Sequence, residues 1–198
     1  MPGRGVDTET YFIEMWRLFC RTWLRLWGWK AVSGVMLEKK AIIIGVPHTS
    51  AWDFVVAYLY YTSVGGTINV IIKKEFFFWP LGILLRRLGA ISIDRKRGTT
   101  IVKQIIKEMN SRETMHLAIT PEGTRNLNKH WKAGFHTIAK ATGATIYLGF
   151  FDYGRKEIGW LGTFELTEDA EEDIRRMKTY YRDFSLVGRF PELFTAEE

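Results

Sequence analysis

Hydrophobic and polar positions change their period several times along the 198-residue chain. Residues 8–33 run at the helical period, as one helix or two in series. Trp16, Leu18, Phe19, Trp23, Leu24, Leu26, Trp27 and Trp29 interleave there with Arg17, Arg21, Arg25 and Lys30. Residues four apart lie one above another on a helix, so the three arginines form one basic stripe on a largely apolar, aromatic cylinder. Such a helix suits a membrane surface, with its rings at headgroup depth. A helix docked on its own domain, with a solvated basic edge, gives the same pattern.

Farther along, short apolar runs alternate with helical stretches. Residues 41–46 (AIIIGV), 68–73 (INVIIK), 90–94 (AISID), 115–120 (MHLAIT) and 144–153 (ATIYLGFFDY) read as strands. Residues 157–166 pair back on the last of these through Gly154, Arg155 and Lys156. Between the strands, 51–63, 98–110 and 133–142 read as helices, as does 76–88 with Pro80 interrupting it. Thr167 caps a final helix, and Glu168, Asp169, Glu171 and Glu172 suit the positive end of its dipole. The alternation predicts an α/β fold, with a mainly parallel central sheet flanked by helices and right-handed crossovers. An N-terminal amphipathic, aromatic helical segment over residues 1–34 precedes a single domain over 35–198. Sites in such sheets open at the carboxyl ends of strands.

Composition narrows the choice of partners. Eight Trp, eight Tyr and thirteen Phe accompany a formal charge of +6. Basic charge attracts nucleic acid, anionic lipid or acidic small molecules. No nucleic-acid recognition module is visible, which makes nucleic acid the weakest of the three. Cys20 is the sole cysteine, so neither an intramolecular disulfide nor a cysteine metal cluster can form. The four histidines show no ligand spacing, and His130 and His136 read as loop and helix residues. No signal peptide or clean membrane span is expected. The first twelve residues lack an apolar run, and the longest uncharged stretch, 54–72, is broken by Tyr-Tyr-Thr-Ser and Gly65-Gly66.

Ionisable residues interrupt the apolar pattern where a site would open. In GVPHTSAWDFVV, residues 45–56, His48 follows a strand and Asp53 lies five positions on. Five residues advance a helix by about 500°, leaving the two side chains roughly 140° apart. They meet only if His48 stands in the loop before the helix, approached in extended form through Pro47, and reaches back over the first turn. Thr49 and Ser50 are natural N-caps there. Asp53 would then hold one imidazole nitrogen and leave the other to accept a proton. The S-x-x-D spacing of Ser50 and Asp53 equally suits plain helix capping, with His48 an ordinary loop residue. No serine or cysteine nucleophile and no G-x-S-x-G elbow accompanies the pair, so a His48 base would act on a substrate hydroxyl directly.

Two other segments place charge at strand ends. Pro121-Glu122-Gly123-Thr124-Arg125 is a turn whose backbone N–H groups and arginine fork suit an anion. Taken alone it is also a common loop composition. Arg95, Lys96 and Arg97 follow residues 90–94, and alone they read as a solvated charge run.

Together the three segments resemble the glycerolipid acyltransferases that acylate lysophosphatidate and related lysophospholipids. The family's H-x-x-x-x-D box matches His48 to Asp53, its G-x-x-x-I-D-R box Gly89 to Arg95, and its P-E-G-T-R box Pro121 to Arg125. Residues 71–90, IIKKEFFFWPLGILLRRLGA, are similar as well, and the resemblance covers about residues 35–150. Pro47 stands where the family often has Asn, Asn126 where Ser often follows, and residues 145–151 lack the proline of a fourth box tied to donor and acceptor packing.

The resemblance implies transfer of a fatty acyl group from a thioester, acyl-CoA or acyl carrier protein, to the free hydroxyl of a lysophospholipid. Lysophosphatidate is the first choice of acceptor. Another lyso-lipid acceptor, or a non-catalytic module that binds anionic lipid, are the alternatives. His48 would be the base and Asp53 its orienting partner. Glu122 and Gly123 would supply oxyanion donors or order the loop, and Arg95, Arg125 and Lys74 would hold the acceptor phosphate. Direct transfer calls for no metal or cofactor. Residues 75–85, EFFFWPLGILL, would line an acyl groove, dip into lipid, or pack in the core. The enzyme would sit on the cytoplasmic face of a membrane, peripheral or monotopic.

Overall fold

The computed structural model describes residues 8–93 and 101–194. Seven strands form one sheet: β1 (Lys30–Ala31), β2 (Lys40–Val46), β3 (Ile68–Lys73), β4 (Ala90–Ile93), β5 (Met115–Ile119), β6 (Thr145–Asp152) and β7 (Glu157–Phe164). Their order is β1-β7-β6-β2-β5-β3-β4. From β6 to β4 all neighbours are parallel, β7 runs antiparallel to β6, and β1 runs parallel to β7. The α/β architecture expected from the alternating pattern is therefore present.

Strand β2 lies between β6 and β5, and its unbroken Ala-Ile-Ile-Ile run reflects cover on both faces. Ile42, Ile44 and Val46 turn to one side, where they meet Ile105, Phe135, Met177 and Tyr181. These come from α4 (Ile101–Ser111), α5 (Gly134–Thr142) and α6 (Ala170–Asp183). Ala41 turns to the other side, with Val56, Ala57, Tyr60 and Tyr61 of α2 (Trp52–Ser63) and Cys20 and Leu24 of α1 (Thr8–Leu26).

Helix α1 is a single helix that stops at Leu26, short of the expected residue 33. Gly28, at φ 77°, ends it. The N–H of Trp29 bonds Leu24 O at 3.0 Å and that of Gly28 bonds Arg25 O at 2.9 Å, the paired bonds of a glycine-closed helix end. The chain then enters the sheet, where Lys30 pairs with Glu157. Two residues are too short for a strand period to show in sequence.

The basic stripe is partly turned inward. Arg21 donates to Ser63 O at 3.0 Å and Arg17 to Gly65 O at 3.3 Å. Cations there complement the negative end of the α2 dipole. Apart from Cys20 and Leu24, the apolar residues of α1 are exposed, including Tyr11, Phe12, Leu18, Phe19 and Leu26. No helix among the described residues is long and apolar enough to cross a membrane.

Two smaller expectations need revision. Asp169 caps α6, its Oδ1 accepting from Glu171 and Glu172 N–H at 2.8 and 3.1 Å. Thr167 stands two residues outside, and its Oγ1 accepts from Asp169 N–H. Residues 76–88 divide into a 3-10 turn (Lys74–Phe76) and a short α3 (Leu81–Arg87) that begins after Pro80. Phe76, Phe78, Trp79, Ile83 and Leu84 are all exposed, so this stretch is apolar surface and not core.

Candidate active site

The parallel strands end side by side, and their ends gather the ionisable residues. His48 follows β2, Glu122 and Arg125 follow β5, and Lys74 follows β3. The His48 loop leaves β2 through a cis Val46–Pro47 peptide.

His48 stands in the loop before α2, and its Nδ1 is 3.1 Å from Asp53 Oδ2. The same oxygen accepts the Ser50 N–H at 2.8 Å. Capping and pairing thus occur together: one carboxylate closes the first turn of α2 and holds the imidazole. Ala51 is the cap residue by position and has no capping side chain; Ser50 Oγ instead accepts Trp52 N–H, and Thr49 Oγ1 accepts Phe190 N–H. Asp53 is 1% exposed. A carboxylate only accepts hydrogen bonds, so Nδ1 carries the shared proton, and in the neutral ring Nε2 is then the nitrogen with the lone pair. Nε2 has no hydrogen-bond partner among the described residues, and the ring is 22% exposed.

The loop after β5 supports this arrangement from below. Glu122 is 1% exposed, and its Oε1 accepts the His48 backbone N–H at 3.0 Å. Its Oε2 is buried with no partner. Burial pushes the Glu122 carboxyl up to about 7, and the negative charge of Asp53 adds to this. The His48 N–H bond and the His48 ring act in the opposite direction and are outweighed. Gly123 adopts φ 68°, a conformation glycine takes without strain, and a Cβ there would come within 2.8 Å of the Lys132 side chain. Its N–H closes the turn on Thr120 O at 3.0 Å. The Gly123 N–H, expected as an oxyanion donor or a loop-ordering group, is thus engaged within its own turn.

A general model of the acyltransferase family matches residues 31–147, more than half of the chain. The chain belongs to the acyltransferase family. No curated protein matches it by sequence. Among solved structures, this acyltransferase is similar to the 1-acyl-sn-glycerophosphate acyltransferase PlsC of Thermotoga maritima. The two share 15% identity over 91% of this chain and 84% of that one, with a TM-score of 0.58, which establishes a common fold.

Other expected site residues of the acyltransferase are placed less closely. Arg125 is exposed on the loop after β5, and Lys74 is exposed on the turn after β3. Neither has a described contact with His48. Arg95 lies outside the described residues. Among the described residues no group of three or more His, Cys, Asp or Glu could hold a metal ion. His136 lies on α5, 3.4 Å from the buried Asp173, and His130 lies in a loop.

Sequence reasoning missed two residues beside the pair. Tyr153, just past β6, donates its hydroxyl to Asp53 Oδ1 at 2.7 Å. Arg189 stacks over Trp52 with its guanidinium 5.6 Å from the ring centroid, and reaches Ser50 Oγ at 3.5 Å. Their distances along the chain from residue 48 hid both. An aromatic ladder also leads to the site: Trp16, Phe19, Trp23, Trp27 and then Trp52, with successive centroids 5.0, 6.0, 5.9 and 5.5 Å apart. An apolar cavity under α2, lined by Gly45, Ala57, Tyr60, Phe151 and Trp160, begins three residues before His48.

Proposed function

We propose that this acyltransferase moves a fatty acyl group from a thioester, acyl-CoA or acyl carrier protein, to the free hydroxyl of a lysophospholipid, with lysophosphatidate the first choice. The observation that carries the reading is the His48–Asp53 pair, whose proton-bearing Nδ1 faces the carboxylate while Nε2 is open. The acceptor hydroxyl gives its proton to Nε2 as its oxygen attacks the thioester carbonyl carbon. The tetrahedral centre then expels the sulfur, and the imidazolium returns the proton to the leaving thiolate. Asp53 stabilises the imidazolium through the intermediate. Arg125 and Lys74, with Arg95, supply positive charge for the acceptor phosphate. Glu122 holds His48 by its backbone.

Similarity to the 1-acyl-sn-glycerophosphate acyltransferase of Thermotoga maritima supports lysophosphatidate as the acceptor. The exposed aromatic face of α1 supports docking on the cytoplasmic face of a membrane, where the lipid acceptor resides and thioester donors are made. The exposed apolar stretch around Trp79 is a surface suited to a fatty chain.

The test is purified protein with one labelled acyl-CoA and a panel of lyso-acceptors. Wild type should acylate lysophosphatidate, and His48→Ala should lose about 10²- to 10⁴-fold in rate while still binding vesicles. Transfer to a different acceptor alone would replace the substrate. Unchanged transfer by His48→Ala would remove the imidazole from the mechanism, and lipid binding with no transfer by wild type would favour a non-catalytic module.

A further inference from the structure

We infer that Tyr153 is a positioning residue for the His48–Asp53 pair, extending it to a three-membered chain in which Tyr153 acts on His48 only through Asp53. This rests on His48 acting as the base.

Asp53 offers two oxygens, and the described contacts divide between them. Oδ2 takes His48 Nδ1 and Ser50 N–H, whereas Oδ1 takes the Tyr153 hydroxyl at 2.7 Å. A carboxylate held at one oxygen can still turn about the bond that carries it. Held at both, its plane is set, and so is the oxygen presented to the imidazole. The phenol is itself anchored. Its ring meets Trp29 edge-on with centroids 4.8 Å apart, and its backbone N–H bonds Val187 O at 2.8 Å. Lys156 Nζ lies 5.5 Å from the ring centroid.

The bond also has an electrostatic consequence. Burial and the Asp53 charge both push the Tyr153 phenol upward, against a smaller effect of Arg189. It therefore remains a neutral donor and does not exchange a proton with Asp53 during turnover. By donating, it draws charge from the carboxylate. Less charge is then available to hold the imidazolium, which favours proton return to the leaving group.

Tyr153→Phe keeps the ring against Trp29 and removes only the hydroxyl. Initial rates between pH 5 and pH 9, with acyl-CoA and lysophosphatidate varied in turn, separate the roles. The expected result is a kcat about tenfold lower, as for loss of a partner that orients a catalytic histidine, with both KM values unchanged. The acid limb of the pH–rate profile should move to higher pH, because a carboxylate with one donor fewer retains the imidazolium more tightly. Unfolding followed by tryptophan fluorescence monitors the fold of the variant.

Unchanged kcat and acid limb would overturn the inference. So would a loss carried by KM, or a loss equal at every pH and matched by lower stability, since a merely structural tyrosine gives that result. The parent reading fails separately, through absent wild-type transfer or an active His48→Ala.

Discussion

Replacing Glu122 by glutamine removes a buried carboxyl that forms no ion pair with Lys or Arg among the described residues. The carboxyl is 1% exposed and pushed from its ordinary 4.5 up to about 7. In the unfolded chain it ionises near the ordinary value. Between those two values the folded protein keeps a proton that the unfolded chain has released, so stability falls as pH rises. Below the window both states are protonated, and above it both are ionised. The span corresponds to about 3 kcal/mol of stability, present in acid and lost as pH passes through 7. Glutamine keeps an oxygen for the His48 N–H and does not titrate. Its amide nitrogen would take the place of the unpartnered Oε2, as the acid O–H does in protonated wild type.

Urea unfolding at pH 5 and pH 8, followed by tryptophan fluorescence, reads the effect. Wild type should lose about 2.5 kcal/mol more than Glu122→Gln between the two conditions. Every other titrating group is common to both proteins and cancels in that comparison. The variant should also retain acyl transfer within a few-fold, because the His48 backbone is still held. Parallel pH dependences in the two proteins would refute the reasoning, since Glu122 would then ionise in the fold as it does in water.

Other variants test the surfaces around the pair. Phe12→Ala and Leu26→Ala, at side chains 70% and 71% exposed, should weaken binding to anionic vesicles by about tenfold each while changing unfolding free energy by less than about 1 kcal/mol. Sedimentation with vesicles and urea unfolding check the two halves, and unchanged vesicle binding would free α1 from any part in docking. Arg125→Ala should raise the KM for lysophosphatidate by about tenfold or more, as expected for a lost charge-assisted phosphate contact, and leave the KM for acyl-CoA unchanged. Steady-state kinetics with each substrate varied decides it, and the opposite pattern would move Arg125 to the donor.

Much of this fold was legible from local pattern. The Ile-Ile-Ile run of β2 read as a buried strand, and parallel strands with helical crossovers followed from the alternation. That topology put His48 at a carboxyl end, and helix geometry alone required it to reach back over α2 to meet Asp53. Two further local signals lie in the chain: Gly28 is a helix stop, and Asp169 is as good a cap as Thr167. Other features have no local signature. Arg17 and Arg21 looked like a solvated stripe until the end of α2 was brought beneath them. Tyr153 reaches Asp53 across 100 positions of chain. The P-E-G-T-R turn marked Glu122 for the site, but only the neighbours that exclude water from it make its charge expensive. Periodicity and helix geometry depend on bonds along the chain, whereas desolvation and distant hydrogen bonds depend on which segments the folded sheet brings together.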